Sequence, residues 1–259
     1  MERAAVEPGA ALGLENREHL VIVGGGGKTS LLLSLTRELN RAGYRVTATT
    51  TTKVWHGEAV DAGRLILTGD KEWPDRLRRG LDSGNVIFLG RRLLPTGKVD
   101  GIDPELADEL FVSGETDFLI VEGDGAAGRP LKAPDPGEPV VPGSATRVVA
   151  MAGLEALGKP MGSDLVFRME RFRKITGAEP GAILSARAIS LLFGRPDGFF
   201  RGSPEGARLT AFLNKLDLAG DPGRAHDLAL EILQGALPRL SEVVLGSLLQ
   251  DRYLTVTRT

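Results

Sequence analysis

Cysteine is absent from this chain of 259 residues. Its absence excludes disulfides, a catalytic thiol, a persulfide or selenide carried on a thiol, and any metal site built from cysteine. Histidine is scarce as well, and the three histidines, His19, His56 and His226, are too scattered to have the spacing of metal ligands. We therefore expect neither thiol chemistry nor a histidine metal centre.

Long apolar runs and a strong charge of one sign are also missing. No run approaches the about 20 residues that span a bilayer, and the net charge of −2 gives no basic field that would attract nucleic acid or anionic lipid. The first residues, MERAAVEPGA, lack a basic region followed by an apolar one, so we expect no signal peptide. We expect a cytoplasmic protein with neither a membrane nor a nucleic-acid partner.

Short apolar segments alternate with helix-compatible segments along most of the chain. The predicted strands are residues 19–24, 44–53, 64–68, 85–90, 117–125, 146–153, 207–214 and 241–249, and the predicted helices are 29–43, 71–81, 103–111, 185–194 and 222–235. This alternation predicts an α/β fold of the P-loop NTPase type, a mostly parallel sheet with helices on both faces. We expect residues 1–18 to be a loosely ordered lead-in to a single domain at 19–259, in which 154–206 form a lid or a small subdomain.

The stretch VIVGGGGKTS at residues 21–30 combines four glycines with a lysine and two hydroxyl residues. The dinucleotide pattern G-x-G-x-x-G fails here, because the sixth position from Gly24 is a threonine. The longer P-loop pattern also fails, because isoleucine stands five positions before Gly27. Its second half, Gly-Lys-Thr-Ser, remains intact between an apolar strand and an amphipathic helix. This short loop resembles that of the Mur-ligase group of P-loop enzymes.

We expect this loop to bind the phosphates of a nucleoside triphosphate. Glycine lets backbone N–H groups approach phosphate oxygens, and the helix that begins near Lys28 presents its positive end. Lys28 would reach the β- and γ-phosphates, and Thr29 would ligate Mg²⁺. The predicted phosphate-binding residues are Gly24, Gly25, Gly26, Gly27, Lys28, Thr29 and Ser30.

Two acidic residues, Glu122 and Asp124, end the apolar strand predicted at 117–125. An acid in this position can hold Mg²⁺ directly or through water, or can orient an attacking water. We predict that Glu122 supports Mg²⁺ together with Thr29, and that Asp124 orients water or substrate. Lys28, Glu122 and Asp124 are the predicted catalytic residues.

Other polar residues near the ends of predicted strands are candidates for contacts to substrate or phosphate. They are Thr51, Thr52 and Lys53 after the second strand, Arg129 and Lys132 in the proline-rich stretch 128–144, and Arg168. Ligands of open α/β sheets bind at the carboxyl ends of the strands, where hydroxyl and basic groups can contact an anion. For Arg129 and Lys132, plain solvation of a loop is an equal alternative.

Residues 214–217 read Asn-Lys-Leu-Asp directly after a predicted strand. The pattern N-K-x-D in this position resembles the guanine-reading element of GTPases. There the aspartate accepts hydrogen bonds from guanine, the asparagine bonds the base edge or the neighbouring loop, and the lysine stem packs on the ring. Such a site rejects adenine, because its polar groups would be left unpaired. We expect Asn214, Lys215 and Asp217 to favour GTP, with ATP or CTP as alternatives, or else to form a polar turn.

Six segments in order resemble the selenium-dependent hydroxylase accessory proteins (YqeC-like): VGGGGKTSLL, TTTTK, VEGDGAAGRPLKAP, GLEALGKP, LNKLD and VVLGSL. The resemblance runs from about residue 20 to residue 248. It implies a P-loop nucleotide-binding protein that assists the maturation of molybdenum hydroxylases with a selenium-containing cofactor. A molybdenum hydroxylase or its cofactor-maturation proteins would then be partners. Residues 167–170 depart from the family's His-Arg-Pro-Glu-like element, so only Arg168 and Glu170 carry over.

We therefore expect an Mg²⁺-dependent protein that hydrolyses GTP, or that couples hydrolysis to the insertion or delivery of a cofactor. Two alternatives stay open. A Mur-like ligase or kinase would activate a carboxylate or transfer phosphate to a small cofactor, held by Arg129, Lys132 or Arg168. A chaperone without catalysis would instead use the nucleotide only as a switch.

Overall fold

The computed structural model describes residues 2–235 and 237–258. The strands are β1 (Glu2–Ala5), β2 (Glu18–Gly24), β3 (Val46–Thr50), β4 (Lys53–Trp55), β5 (Arg64–Leu67), β6 (Ile87–Gly90), β7 (Arg92–Leu93), β8 (Lys98–Asp100), β9 (Phe118–Glu122), β10 (Leu131–Lys132), β11 (Arg147–Gly153), β12 (Val166–Phe167), β13 (Arg208–Asn214), β14 (Leu240–Ser247) and β15 (Arg252–Thr257). The helices are α1 (Pro8–Leu12), α2 (Lys28–Arg41), α3 (His56–Ala62), α4 (Trp73–Asp82), α5 (Pro104–Ser113), α6 (Met169–Thr176), α7 (Ala186–Gly194) and α8 (Pro222–Gly235).

Ten strands form one sheet in the order β1-β15-β14-β13-β11-β2-β9-β3-β6-β5. Neighbouring strands from β14 to β5 are all parallel, and β15 and β1 close one edge in antiparallel pairing. Two small sheets, β4-β8-β7 and β10-β12, accompany the main one. The predicted α/β fold with a mostly parallel sheet is confirmed.

Successive side chains of the central strand β2 enter two different hydrophobic cores. Leu20 and Ile22 pack with residues of α1, α2 and α3, while Val21 and Val23 pack with residues of α4 to α8. This period of two is that of a strand covered on both faces. The prediction of helices on both faces is therefore confirmed. None of the helices in the described ranges combines the length and apolar character needed to cross a bilayer.

The beginning of the chain is more ordered than we expect from its sequence. β1 pairs with β15, which lies at the other end of the chain. In α1, Ala11 and Leu12 are fully buried, and the N–H of Gly9 donates a hydrogen bond to Glu38 at 2.8 Å. The expectation of a loosely ordered lead-in at residues 1–18 is wrong for this part of the chain, because contacts distant in sequence hold it in place.

Residues 154–206 pack on the core of the main sheet. Phe172 of α6, Phe193 of α7 and Phe199 are completely buried in the same core as Val21. The parallel pairing of β12 with β10 adds a backbone connection to the stretch that follows β9. The segment therefore shares its hydrophobic core with the sheet instead of building one of its own.

The carboxyl ends of the parallel strands place the polar segments of the sequence together. β2 leads into the glycine loop, β9 into the acidic turn, β3 into the threonine-rich segment and β13 into residues 214–217. Because these strands are parallel, all four of these segments lie at the same end of the sheet, where the carboxyl ends of the strands meet. We call this end the carboxyl edge, and the opposite end the amino edge. The candidate site is built at the carboxyl edge.

Candidate functional site

The glycine loop at residues 24–27 is packed tightly against the backbone at the carboxyl end of β11. Gly24 has φ +93°, and a Cβ added there would lie 2.3 Å from the carbonyl oxygen of Met151. Gly26 has φ +75°, and its Cβ would lie 2.3 Å from the backbone nitrogen of Gly153. Both the positive φ and the lack of space require glycine at these positions. The loop is therefore an ordered element and not a flexible turn.

The N–H groups of this region divide into two sets. Within the protein, Gly24 donates to the Asp124 carboxylate at 3.0 and 3.1 Å, Gly25 to Met151 at 2.9 Å, and Gly26 to Arg129 at 3.0 Å. The N–H groups of residues 27–30 find no hydrogen-bond partner in the described parts of the chain. They lie at the start of α2, a helix of 14 residues, where free N–H groups and the helix dipole favour an anion.

Lys28 begins α2 and is only 5% exposed. Its Nζ donates to the carbonyl oxygen of Gly24 at 2.8 Å and lies 3.3 Å from Asp124 and 3.6 Å from Glu122. Burial alone would lower the pKa of Lys28, but the two carboxylates outweigh burial and raise it above its ordinary value. The ammonium therefore stays charged beside the glycine loop.

Thr29 and Glu122 are brought together beside Lys28. The Thr29 hydroxyl donates a hydrogen bond to Glu122 at 3.1 Å, and both residues line the same cavity. Burial raises the pKa of Glu122, against the opposing effect of Lys28. A hydroxyl and a carboxylate are oxygen ligands of the kind Mg²⁺ takes from protein when phosphate supplies others. The pair fits such an ion, while the described residues hold no cluster of three or more acidic or histidine ligands.

Asp124 lies beneath the glycine loop and does not line the cavity. Its side chain is fully buried, and its carboxylate accepts the hydrogen bonds of Gly24 and pairs with Lys28 at 3.3 Å and with Lys132 at 2.9 Å. The expectation that Asp124 orients water or substrate is corrected by this placement. Asp124 instead orients the loop and the ammonium of Lys28.

A chain of ion pairs continues from Asp124 away from the loop. Lys132 is completely buried and contacts Glu138 at 2.5 Å, and Glu138 also accepts two hydrogen bonds from Arg168 at 2.5 and 2.9 Å. Burial alone would raise the pKa of Glu138, but Arg168 and Lys132 lower it to about 2. Arg168 lines the cavity, whereas Lys132 does not. The expected contact of Lys132 with substrate is therefore corrected to a supporting role beneath the site.

A cavity of about 920 Å³ opens over the glycine loop. Of the predicted residues it is lined by Gly26, Gly27, Lys28, Thr29, Ser30, Thr51, Thr52, Lys53, Glu122, Arg129, Arg168 and Lys215. Gly24 and Gly25 lie below the surface, and the Thr51 hydroxyl donates to the backbone of Val140 at 3.0 Å. Lys53 and Arg129 are exposed, and no carboxylate of the described chain lies within ion-pair distance of either.

Asn214 at the end of β13 ties the glycine loop to the segment after β14. Its Nδ2 donates to the carbonyl oxygen of Gly26 at 2.8 Å, and its Oδ1 accepts from the N–H of Leu248 at 3.2 Å. Both ends of the amide are therefore engaged by backbone. Of the two contacts considered from the sequence, the structure shows the one to the neighbouring loop.

Lys215 and Asp217 follow Asn214 in the chain, and only Lys215 lines the cavity. Lys215 has φ +64°, forms an ion pair with Glu155 and lines the cavity. Asp217 is exposed, and its carboxylate has no ion-pair or hydrogen-bond partner among the residues that the structure describes. Its acceptor oxygens are free, but Asp217 is not among the residues that line the cavity.

Sequence reasoning missed Trp55, Lys98 and Glu58, which also line the cavity. Trp55 is 54% exposed, and Lys98 Nζ lies 4.6 Å from the centre of its ring. The two residues are cross-strand partners of β4 and β8. The sequence shows only a tryptophan two residues after Lys53, and its partner Lys98 lies too far along the chain to be found by spacing.

These features define an α/β protein of the P-loop type, in which the central strand leads through a glycine-lysine loop into a helix. The family model described as YqeC protein matches residues 20–170. Protein YqeC of Escherichia coli (strain K12) is 34% identical over 218 residues, which cover 82% of this chain and 83% of that protein. The chain belongs to the YqeC family.

Two solved structures show a more distant similarity. The hydrogenase maturation factor HypB from Archaeoglobus fulgidus aligns with a TM-score of 0.41 and 14% identity, over 92% of this chain and 85% of that one. FtsY from Mycoplasma mycoides aligns with a TM-score of 0.40 and 15% identity, over 95% of this chain and 66% of that one. At these scores neither structure carries an argument about the site.

Proposed function

We propose that the protein binds Mg²⁺ and a nucleoside triphosphate at the glycine loop and hydrolyses the triphosphate. The observation that carries the proposal is the position of Lys28 and the Thr29–Glu122 pair beside the free N–H groups of residues 27–30. These donors and the ammonium would hold the β- and γ-phosphates. The Thr29 hydroxyl and the Glu122 carboxylate would hold Mg²⁺, which supplies neutralisation of the phosphate charge when bound.

Phosphate binding requires Lys28 to exchange one partner. In the structure its Nζ donates to the carbonyl oxygen of Gly24, and a phosphate oxygen would replace that weaker acceptor. Asp124 would not be left uncompensated, because Lys132 contacts it at 2.9 Å. The exposed guanidinium of Arg129 at the cavity wall is a second cation for the terminal phosphate. Positioning and charge stabilisation of this kind are the main contributions of proteins to phosphoryl transfer.

We propose that GTP is preferred over ATP and CTP. The support for this preference is the carboxylate of Asp217, which has no partner in the described chain and lies two residues after Lys215, a residue of the cavity wall. A carboxylate accepts hydrogen bonds from the N1–H and amino group of guanine, and adenine offers no such pair of donors. Asn214 contributes by holding the loop in place.

We propose that this activity serves the maturation of selenium-dependent molybdenum hydroxylases in the cytoplasm, by insertion or delivery of a cofactor. The resemblance of the six sequence segments to such accessory proteins supports this role. The absence of cysteine limits it, because selenium cannot be carried on a thiol of this chain.

Release of phosphate from GTP tests the proposal. Wild type should produce GDP and phosphate only with Mg²⁺, and Thr29→Ala and Glu122→Gln should each lower the rate at least about tenfold. Lys71→Ala, which changes an exposed lysine outside the cavity, is the matched control and should leave the rate unchanged. Equal rates in all variants, or turnover without Mg²⁺, would contradict the assignment.

Two other functions each have one supporting observation. A Mur-like ligase or kinase is favoured by a cavity that extends beyond the loop to Trp55 and Arg168, and it would yield a ligated or phosphorylated small molecule in place of free phosphate. A nucleotide-switched chaperone is favoured by the ion pairs that connect Lys28 to Arg168. Tight binding without turnover, even with a hydroxylase present, would favour the switch.

A further inference from the structure

The cavity extends to both sides of the glycine loop. Residues 214–217 follow β13, which lies two strands from β2 on one side, and residues 51–55 follow β3, which lies two strands away on the other. With neighbouring strands about 4.8 Å apart, the axes of β13 and β3 are each roughly 10 Å from that of β2, in opposite directions, and the Asn214 side chain reaches from β13 to the loop. A nucleotide whose base lies toward residues 214–217 leaves the β3 side of the cavity open beside its terminal phosphate.

The wall on the β3 side is the small antiparallel sheet. Lys53 and Trp55 of β4 are paired with Asp100 and Lys98 of β8. All four line the cavity, while the intervening Val99 of β8 is fully buried and Val54 of β4, although it borders the cavity, is only 6% exposed and packs in a hydrophobic core. This alternation is that of a strand with one face in the core and one face open. The cavity wall therefore presents these four side chains together.

The cavity wall contains cations that no carboxylate of the described residues pairs with. Every carboxylate in the lining has a donor or cation: Glu58 accepts from the N–H of Trp55, Asp100 pairs with Arg91 and Arg92, Glu122 with Lys28, and Glu138 with Lys132 and Arg168. Lys53, Lys98 and Arg129 line the same cavity, and no carboxylate in the described ranges lies within ion-pair distance of them. Unpaired cations around a cavity favour an anionic ligand.

Trp55 adds a planar surface to these cations. More than half of it is exposed, at 54%, although its backbone is held by the hydrogen bond from its N–H to Glu58 at 3.0 Å. An indole ring in a cavity stacks on planar ligands, and stacking tolerates many ring types. Lys98 Nζ lies over one face of the ring, 4.6 Å from its centre, so a ligand stacks on the other face or moves this ammonium to the ring edge.

We propose that Trp55, Lys53 and Lys98 form a second binding site, for a planar heteroaromatic molecule that carries an anionic group. The ring stacks on the indole, and the two ammonium groups bind the anion. The position of this ligand next to the terminal phosphate rests on the proposed function, because that fixes the direction of the nucleotide. The site itself depends only on the wall formed by β4 and β8.

Titration with three probes tests the site. Flavin mononucleotide has a planar ring and a phosphate, riboflavin has the ring alone, and glycerol 3-phosphate has the phosphate alone. Binding is followed by flavin fluorescence, and by calorimetry for glycerol 3-phosphate, with and without Mg²⁺ and a non-hydrolysable GTP analogue. We expect flavin mononucleotide to bind in both conditions, and each of the other two probes to bind at least about tenfold more weakly.

Variants assign the binding to the proposed residues. Trp55→Ala should weaken flavin mononucleotide about fivefold to a hundredfold, the range expected for loss of one stacking surface. The double change Lys53→Ala and Lys98→Ala should weaken flavin mononucleotide and leave riboflavin unchanged. Trp73→Phe and Lys71→Ala, which alter the other tryptophan and a nearby exposed lysine outside this cavity, are the matched controls.

Three results would overturn the proposal: no binding of flavin mononucleotide to wild type, equal affinity in Trp55→Ala, or displacement of flavin mononucleotide by the GTP analogue. The last result would assign Trp55 to the nucleotide site itself. Failure of the GTP analogue to bind would contradict the proposed function alone, because the titration without nucleotide still measures the second site.

Discussion

The two edges of the main sheet both carry buried charges, but they use them differently. At the amino edge, Arg147 is 1% exposed and binds Glu18 at 2.9 and 3.0 Å, Thr210 and Glu242 at 3.3 Å, and the backbone of Gly13 at 3.1 Å. Its guanidinium is surrounded by acceptors that hold neighbouring strands together. These charges are engaged entirely within the protein.

At the carboxyl edge, donors without partners among the described residues lie beside the buried charges. Lys28 donates to a backbone oxygen, the N–H groups of residues 27–30 are without partners in the described chain, and Arg129 faces the cavity unpaired. The comparison teaches that burial of charge does not by itself mark a functional site. Donors that remain free beside a cavity distinguish the carboxyl edge from the amino edge.

Removal of Arg147 should produce the largest effect on stability. Arg147→Met leaves the carboxylate of Glu18 buried without its partner, which costs about 3–5 kcal/mol of unfolding free energy. Urea unfolding measures this loss. The affinity for Mg²⁺ and GTP should be unchanged at temperatures where the variant is folded. The double change Arg147→Met and Glu18→Gln should recover part of the stability, and no loss in the single variant would show that the amino edge is not a structural charge cluster.

Removal of Lys28 should mainly weaken nucleotide binding, whereas removal of Arg147 mainly lowers stability. Lys28→Ala deletes the ammonium at the proposed phosphate site, and we expect the affinity for Mg²⁺ and GTP to fall about a thousandfold. Calorimetric titration measures the change, with Lys71→Ala as the control. An unchanged affinity would remove the distinction between the two edges of the sheet.

His19 at the amino edge should make stability depend on pH. Burial lowers the pKa of His19 to about 4, against a smaller opposing effect of Asp108, and its Nε2 is buried without a partner among the described residues. The unfolded chain takes up the proton near the ordinary value of 6.5. Stability should therefore fall as the pH decreases from about 6.5 to about 4, by at most about 3 kcal/mol, and level off below.

Urea unfolding at pH 7 and pH 4.5 measures this dependence. His19→Gln should reduce the loss between the two pH values, while His56→Gln, which changes an exposed histidine, should not. An identical loss in wild type and His19→Gln would show that other groups account for it. The affinity for nucleotide should not follow the protonation of His19, which lies at the far edge of the sheet.

Replacement of Asn214 should lower nucleotide affinity less than replacement of Lys28, and by a similar factor for every nucleotide. Asn214→Ala leaves the carbonyl oxygen of Gly26 and the N–H of Leu248 without partners, which lowers the free energy of unfolding by about 1–3 kcal/mol. We expect the affinities for GTP and ATP to fall by similar factors, because the loop is less well held. Parallel calorimetric titrations decide this, and a selective loss of GTP binding would instead make Asn214 a reader of the base.

The parts of the fold and site that depend on local sequence were predictable. Apolar runs and helical periodicity locate the parallel strands and most helices, since buried strands and amphipathic helices have distinct patterns. The loop with Lys28 and Thr29, and its pairing with Glu122, follow from the strand–glycine–lysine–helix order and the common edge of a parallel sheet.

The remaining features depend on contacts between distant segments. β1 is held by β15, so nothing within residues 1–18 predicts its order. The sequence predicts that Asp124 orients water or substrate, because spacing does not reveal that Lys132 approaches its carboxylate from β10. The pairing of Trp55 with Lys98 likewise requires the register of β4 and β8.

The measurement that tests the central claim most directly is binding of GTP, ATP and CTP, each with Mg²⁺, to wild type and Asp217→Ala. If the carboxyl edge is a guanine-nucleotide site, wild type prefers GTP, and the variant loses that preference while it keeps a similar affinity for ATP. A preference of wild type for ATP or CTP, or a GTP preference that survives in Asp217→Ala, would contradict the claim and make residues 214–217 a structural turn.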